Sequence, residues 1–154
     1  VNKINALRAS LTQAMPELAA SPKNLRMWVD RGTVGSRHTA TLGFGFKYRL
    51  NVLLVDFASD IAALVLPIWI WARLHQPDLL EPKTDGLSFD VDFMSATQAD
   101  ILIQMDLTEN VTATAQDGGY RLTYLPEPTP MFADDLPPGG LEAVPLLSAI
   151  RFDP

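Results

Sequence analysis

Between Leu42 and Leu54 an apolar side chain occupies every second position: Leu42, Phe44, Phe46, Tyr48, Leu50, Val52 and Leu54. The intervening positions carry Thr41, Gly43, Gly45, Lys47, Arg49 and Asn51. A period of two means a β-strand with one face in a core and the other at least partly wet. The run is about twice the usual strand length of ~5 to 6 residues. The fold must therefore be organised around one long strand, and Gly43 and Gly45 are the places where it is expected to twist or bend.

Further strands are expected on both sides of it in sequence. Leu25, Met27 and Val29 alternate with Arg26, Trp28 and Asp30, predicting a strand over 25–31 that ends in a turn marked by Gly32 and Gly35. Downstream, Phe89, Val91 and Phe93 alternate with Ser88, Asp90 and Asp92. Ile101, Ile103, Met105 and Leu107 do the same with Leu102, Gln104 and Asp106. Segments 111–115 and 120–124 flank Asp117-Gly118-Gly119, a hairpin signal. Three or four strands are expected in this half.

Two helices are predicted to cover the sheet. Over residues 3–20, Ile4, Leu7, Leu11, Met15 and Leu18 fall on one stripe, with Asn2 or Asn5 as a cap and Pro16 as a kink or early stop. A second helix starts at Ser59 or Asp60 and runs to about His75. It is apolar nearly all round, contains Pro67 and ends at Gln76-Pro77. Trp69 and Trp71 point to different sides of that helix. Either both are core, or one anchors a contact with another subunit.

From Pro126 the periodicity stops. Seven prolines and Gly139-Gly140 lie between there and Pro154, yet Met131, Phe132, Leu136, Leu141, Val144, Leu146, Leu147, Ile150 and Phe152 are apolar. Such a segment reads as an extended arm that docks on something rather than a solvated linker. The expected organisation is an α+β domain over 1–125, an antiparallel or mixed sheet with two helices packed on it, followed by a Pro-rich arm over 126–154 that packs outside the domain's main core. At 154 residues such a body needs no covalent staple, and there is no cysteine.

The net charge of -6 argues against broad or sequence-specific nucleic-acid binding. Its distribution is lopsided. From 23 to 49, Lys23, Arg26, Arg31, Arg37, Lys47 and Arg49 stand against Asp30 alone; from 78 to 117, nine acids stand against Lys83 alone. Either these are two solvated faces, or each half meets the opposite half of a neighbouring copy. No apolar run reaches the ~18 to 20 residues that span a bilayer, and the longest, 61–72, contains Pro67. A soluble, intracellular chain with no membrane partner is expected.

Motifs for chemistry are sparse. His38 and His75 are isolated, one by a turn and one at a helix end where it suits the last carbonyls. Gly43-Phe44-Gly45 lacks the helix start and lysine of a phosphate loop. Asp90, Asp92 and Asp106 are left as a candidate divalent-cation site, against the alternative of a solvated strand face. No catalytic residue, metal or cofactor is expected.

The ordered motifs resemble the phage tail completion protein R family of contractile-tailed temperate phages. The resemblance is carried by Leu7-Arg8 with Leu11; Leu25-Arg26 with Asp30 and Gly32; Leu42, Phe44, Tyr48, Leu50 and Asn51; and Val55-Asp56-Phe57. It continues through Pro67, Trp71 and Arg73; Gln76-Pro77-Asp78; Leu107-Thr108-Glu109; and Pro126-Glu127-Pro128. It implies a non-enzymatic virion protein, assembled in the host cytoplasm, that completes the tail. The element order is similar to that of tail terminators, which implies a homohexameric ring capping the head-proximal end of the tail tube. Its partners would be tail tube, sheath and head-tail connector proteins. A tail-assembly chaperone or adaptor that leaves the particle is the alternative. For a ring, the charge pattern predicts a head-to-tail contact with Arg37, Lys47 and Arg49 facing Asp90, Asp92 and Asp106 of the next copy.

Overall fold

The long alternating run forms β2, Phe44–Phe57, the centre of the sheet. The computed structural model describes residues 1–36, 42–128 and 144–153. β2 pairs antiparallel with β1 (Leu25–Ser36) on one side and with β4 (Ala99–Gln116) on the other. β3 (Leu87–Phe93) and β5 (Gly119–Tyr124) both pair antiparallel with β4. Met105 opposes both Leu50 and Leu87, and Val111 opposes both Phe44 and Tyr124. β3 and β5 therefore lie end to end along the β4 edge that faces away from β2. The result is an α+β fold on a five-stranded antiparallel sheet, as expected.

Helices α1 (Asn2–Ala14), α2 (Glu17–Ala20) and α3 (Ile61–His75) cover one sheet face. Leu7, Leu11, Met15 and Leu18 meet Leu64, Ile68 and Trp71 there, over Leu50, Val52, Leu54, Ile101, Ile103 and Met105. Pro16 separates α1 from α2, since it lacks the amide that would continue the first helix. Asp60 caps α3, its Oδ1 accepting from the Ala62 amide at 2.8 Å. Trp71 is buried and Trp69 is partly buried against the same core. Gly86 lies under the Trp69 ring: it has φ +64°, and a Cβ there would come within 2.9 Å of Cη2. Among the described residues no helix is long and apolar enough to cross a membrane.

Three expectations need correction. β1 does not turn at Gly32 and Gly35 but continues to Ser36. Arg31, at φ 54°, and Gly32 together oppose Tyr48 as a β-bulge, so the extra residue is absorbed within the ladder. Segments 101–107 and 111–115 are not separate strands, because β4 runs unbroken through Thr108-Glu109-Asn110. Pairing with β2 overrides the weak strand preference of that stretch. Gly45 makes room for it: a side chain there would sit 2.9 Å from Asn110 Oδ1. Finally, Leu147, in a short 3-10 turn (Leu147–Ala149), packs against the chain's own core, where the whole of 126–154 was expected to lie outside it. His38 and the apolar residues Met131, Phe132, Leu136 and Leu141 lie outside the described residues.

Candidate assembly surface

Two features of the molecule carry polar groups in unusual positions: a buried seam at one end of the sheet, and the sheet face that no helix covers among the described residues. The seam exists because β3 and β5 leave part of the β4 edge without a strand. There the buried Gln76 side chain stands in, its Oε1 accepting from the Thr108 amide at 3.0 Å and its Nε2 donating to Thr108 Oγ1 at 3.2 Å. Lys3 Nζ donates to the same Oε1 at 2.7 Å and to Glu127 Oε1 at 2.8 Å.

Glu109 completes the seam. It shares the parity of Leu107 and Val111, so its carboxylate points into the helix-covered face and is 3 % exposed. Oε1 accepts from the Asn2 amide at 2.6 Å and the Lys3 amide at 3.1 Å; Oε2 accepts from the Tyr48 hydroxyl at 2.6 Å. An anion at a helix N-terminus satisfies free amides and complements the helix dipole. This replaces the expected Asn2 or Asn5 cap, since α1 has no side-chain cap of its own. Burial, reinforced by the hydrogen bond and charge of Glu109, pushes the Tyr48 hydroxyl far above the ordinary tyrosine range. Chemically the seam is a clamp: its partners are mutually satisfied and it ties α1, the end of α3 and β4 together. Nearby, the His75 ring stacks on Trp71 with centroids 5.3 Å apart.

The seam escaped the sequence reading, which counted Glu109 among the acids of the acidic half, either solvated or facing a neighbouring copy. The available signal was an acid on the apolar parity between Leu107 and Val111, with Tyr48 on the matching parity of the long strand. Three of the stretches that carry the family resemblance, Gln76-Pro77-Asp78, Leu107-Thr108-Glu109 and Pro126-Glu127-Pro128, meet here.

The uncovered face holds the residues singled out for an interface. Rows run straight across it: Arg26–Leu53–Leu102–Asp90, then Trp28–Asn51–Gln104–Ser88, then Asp30–Arg49–Asp106. Asn51 is 1 % exposed, accepting from Gln104 Nε2 at 2.7 Å and donating to Asp30 Oδ2 at 2.8 Å. Arg49 reaches Asp106 within the same chain, Nε to Oδ1 at 3.1 Å, and this bond and charge raise the Arg49 pKa. Lys47, Asp90 and Asp92 are on the same face with no ion-pair partner among the described residues, and Arg37 lies outside those residues. The basic and acidic halves of the sequence are thus interleaved in space, because β2 pairs with β4. Asp90 opposes Leu102, four residues along β4 from Asp106, which is about 13 Å at ~3.3 Å per residue. Asp90 and Asp106 are too far apart to share one cation. Among the described residues no group of acids and histidines is placed to hold a metal.

Apolar side chains are exposed along the sheet's flanks: Phe89 (56 %), Phe93 (77 %) and Met94 on the β3 side, Val29 and Val34 on the β1 side, and Trp28 (41 %) on the uncovered face. Apolar residues exposed at sheet edges, beside outer strands that pair with no further strand among the described residues, are the kind of surface that contacts between proteins use.

Comparison with known proteins places this architecture. The chain is 35% identical over 131 residues to tail completion protein R of Escherichia phage P2, an alignment covering 83% of this chain and 84% of that protein. No solved structure matches it. The family model for P2 phage tail completion protein R (GpR) matches residues 1–128, which take in the whole sheet, all three α-helices and the seam through Glu127, so the chain belongs to that family.

Proposed function

We propose that this chain completes a phage tail as a structural, non-enzymatic protein. Copies form a ring at the head-proximal end of the tail tube of a contractile tail and join it to the head connector. The observation that carries this reading is the family match over residues 1–128, which spans every strand of the sheet. Among the described residues, a sheet face without a covering helix, on which Lys47, Asp90 and Asp92 have no ion-pair partner, and apolar side chains at both flanks support an assembling role. Six copies is the number carried by the analogy with tail terminators, and their contact is head-to-tail. In a two-fold contact a charged patch meets itself, whereas a head-to-tail contact sets unlike surfaces together. Asp90 and Asp92, on the outer strand β3, lie on the acidic side of that contact. Lys47 and the Arg49–Asp106 pair formed within one copy lie on the central strands β2 and β4, between the two edges.

The test is deletion of the gene from a phage that carries it. Electron microscopy should show heads and tails that fail to join, rescued by the full chain supplied in trans, and the chain should be present in purified virions at a constant copy number per tail. Rescue without retention in virions would identify the chaperone or adaptor instead. Normal infectious particles from the deletion would refute both.

A further inference from the structure

We propose that copies of this chain join edge to edge into one continuous antiparallel sheet, β3 of one copy pairing with β1 of the next, with Asp90 opposite Arg26. The proposal rests on the ring reading above and specifies how the ring is closed.

Strand polarity comes first. The path β1-β2-β4-β3 is antiparallel at every step, so its outer strands β1 and β3 run in opposite directions. A second copy set beside the first in the same orientation therefore presents β1 antiparallel to β3, with its helices on the same side of the sheet. Among the described residues neither outer edge pairs with a further strand. Such a contact joins two different surfaces, so it repeats from copy to copy and closes where the rotation permits. Pairing β1 with β1, or β3 with β3, is two-fold and stops at two copies.

Register and chemistry agree with it. Arg26 and Asp90 are the two ends of one row across the sheet. Rows joined end to end place these side chains directly opposite each other on the uncovered face, at the ~4.5 to 5.5 Å separation of a cross-strand pair. On the helix-covered face the same register sets Phe89 against Met27 and Leu87 against Val29 of the next copy. Phe89 and Val29 are among the apolar residues a single copy leaves exposed. Neither Arg26 nor Asp90 has an ion-pair partner among the described residues. A β3–β3 contact would instead crowd Asp90 and Asp92 against their own copies, and like charges opposed across a sheet destabilise it.

The absence of cysteine from the chain makes the test direct. Within one copy, positions 26 and 90 are separated by three strand spacings, about 14 Å. That is beyond the ~7 Å a disulfide bridges, so any bond between cysteines there links two copies. Full-length protein carrying R26C and D90C together is oxidised, alone and mixed with tail tubes, and run on a non-reducing gel; native mass spectrometry measures the assembly. The expected result is a ladder from the double variant that ends at the copy number of the ring, and no dimer from either single variant. Dimers from a single variant would show two-fold edge pairing and overturn the proposal. A ring by mass with no ladder would overturn it while the ring reading stands, and a chain that stays monomeric in both conditions would overturn both. If the double variant does not fold, charge reversal takes its place. R26D or D90R alone should weaken assembly about 2- to 5-fold per contact, and the two together should restore it; no rescue would count against the pairing.

Discussion

Replacing Glu109 by alanine should destabilise the protein more than any other single change at a polar side chain. The carboxylate accepts three hydrogen bonds, from the amides of Asn2 and Lys3 and from the Tyr48 hydroxyl. Hydrogen bonds to a charged group contribute about 1.5 to 3 kcal/mol each, and leaving a buried donor unpaired costs about 1 to 3 kcal/mol. The Asn2 amide is part-buried and can recover water, so two donors are stranded. The dipole of α1 also loses its anion, a further ~0.3 to 1 kcal/mol. Together these give about 2 to 7 kcal/mol, a large part of the ~5 to 15 kcal/mol that holds a domain of this size. E109Q keeps the shape and an acceptor for the amides, and its amide group can donate to the Tyr48 oxygen, so it should lose only about 1 to 2 kcal/mol. Urea unfolding with a check on the slope measures both. A double-mutant cycle with Y48F should show non-additivity above ~1 kcal/mol. If E109A cost less than ~1 kcal/mol, or added independently to Y48F, the seam would not be what fixes α1 to the sheet.

Leu64 and Ile68 have no solvent exposure, so L64A and I68A should each cost about 2 to 5 kcal/mol in the same assay; losses under ~1 kcal/mol at both would contradict α3 as the central core helix. Tyr48 holds its proton in the folded state, whereas an unfolded tyrosine ionises near pH ~10. Its contribution is therefore complete below pH ~10 and declines above it, by at most ~1.4 kcal/mol per pH unit, and Y48F should flatten the alkaline limb of the stability curve relative to the unmutated protein. Truncation after Leu125 removes Glu127 from Lys3 and Leu147 from the core, so it should lower stability by about 1 to 3 kcal/mol yet leave the sheet folded by circular dichroism. Complete unfolding would make the C-terminal segment part of the core proper.

The elements that were legible in the sequence are those whose cause is local. The alternation from Leu42 to Leu54 specifies β2 because the side-chain period of a strand is two whatever lies beside it. Asp60 before an apolar run specifies the start of α3, and Pro16 the end of α1, because a cap and a missing amide act within one turn. Asp117-Gly118 makes the hairpin turn because both residues take positive φ, at 48° and 78°. The family resemblance was legible for the same reason: it is a matter of residue order along the chain.

What the tertiary structure alone decided is everything set by partners distant in sequence. Gly32 looks like a turn residue, and it becomes half of a bulge only because Tyr48 lies opposite. Glu109 and Gln76 look like surface residues. They are buried because β3 and β5 leave the β4 edge open there, and because α1 brings its free amides to that gap across more than a hundred residues of chain. Arg49 and Asp106 belong to oppositely charged halves of the sequence, yet β2–β4 pairing makes them neighbours. Which charges of that face have no ion-pair partner among the described residues, Arg26, Lys47, Asp90 and Asp92, follows from that pairing and from no pattern along the chain. Burial and ion pairing depend on what strand order brings together, and strand order is a property of the assembled sheet.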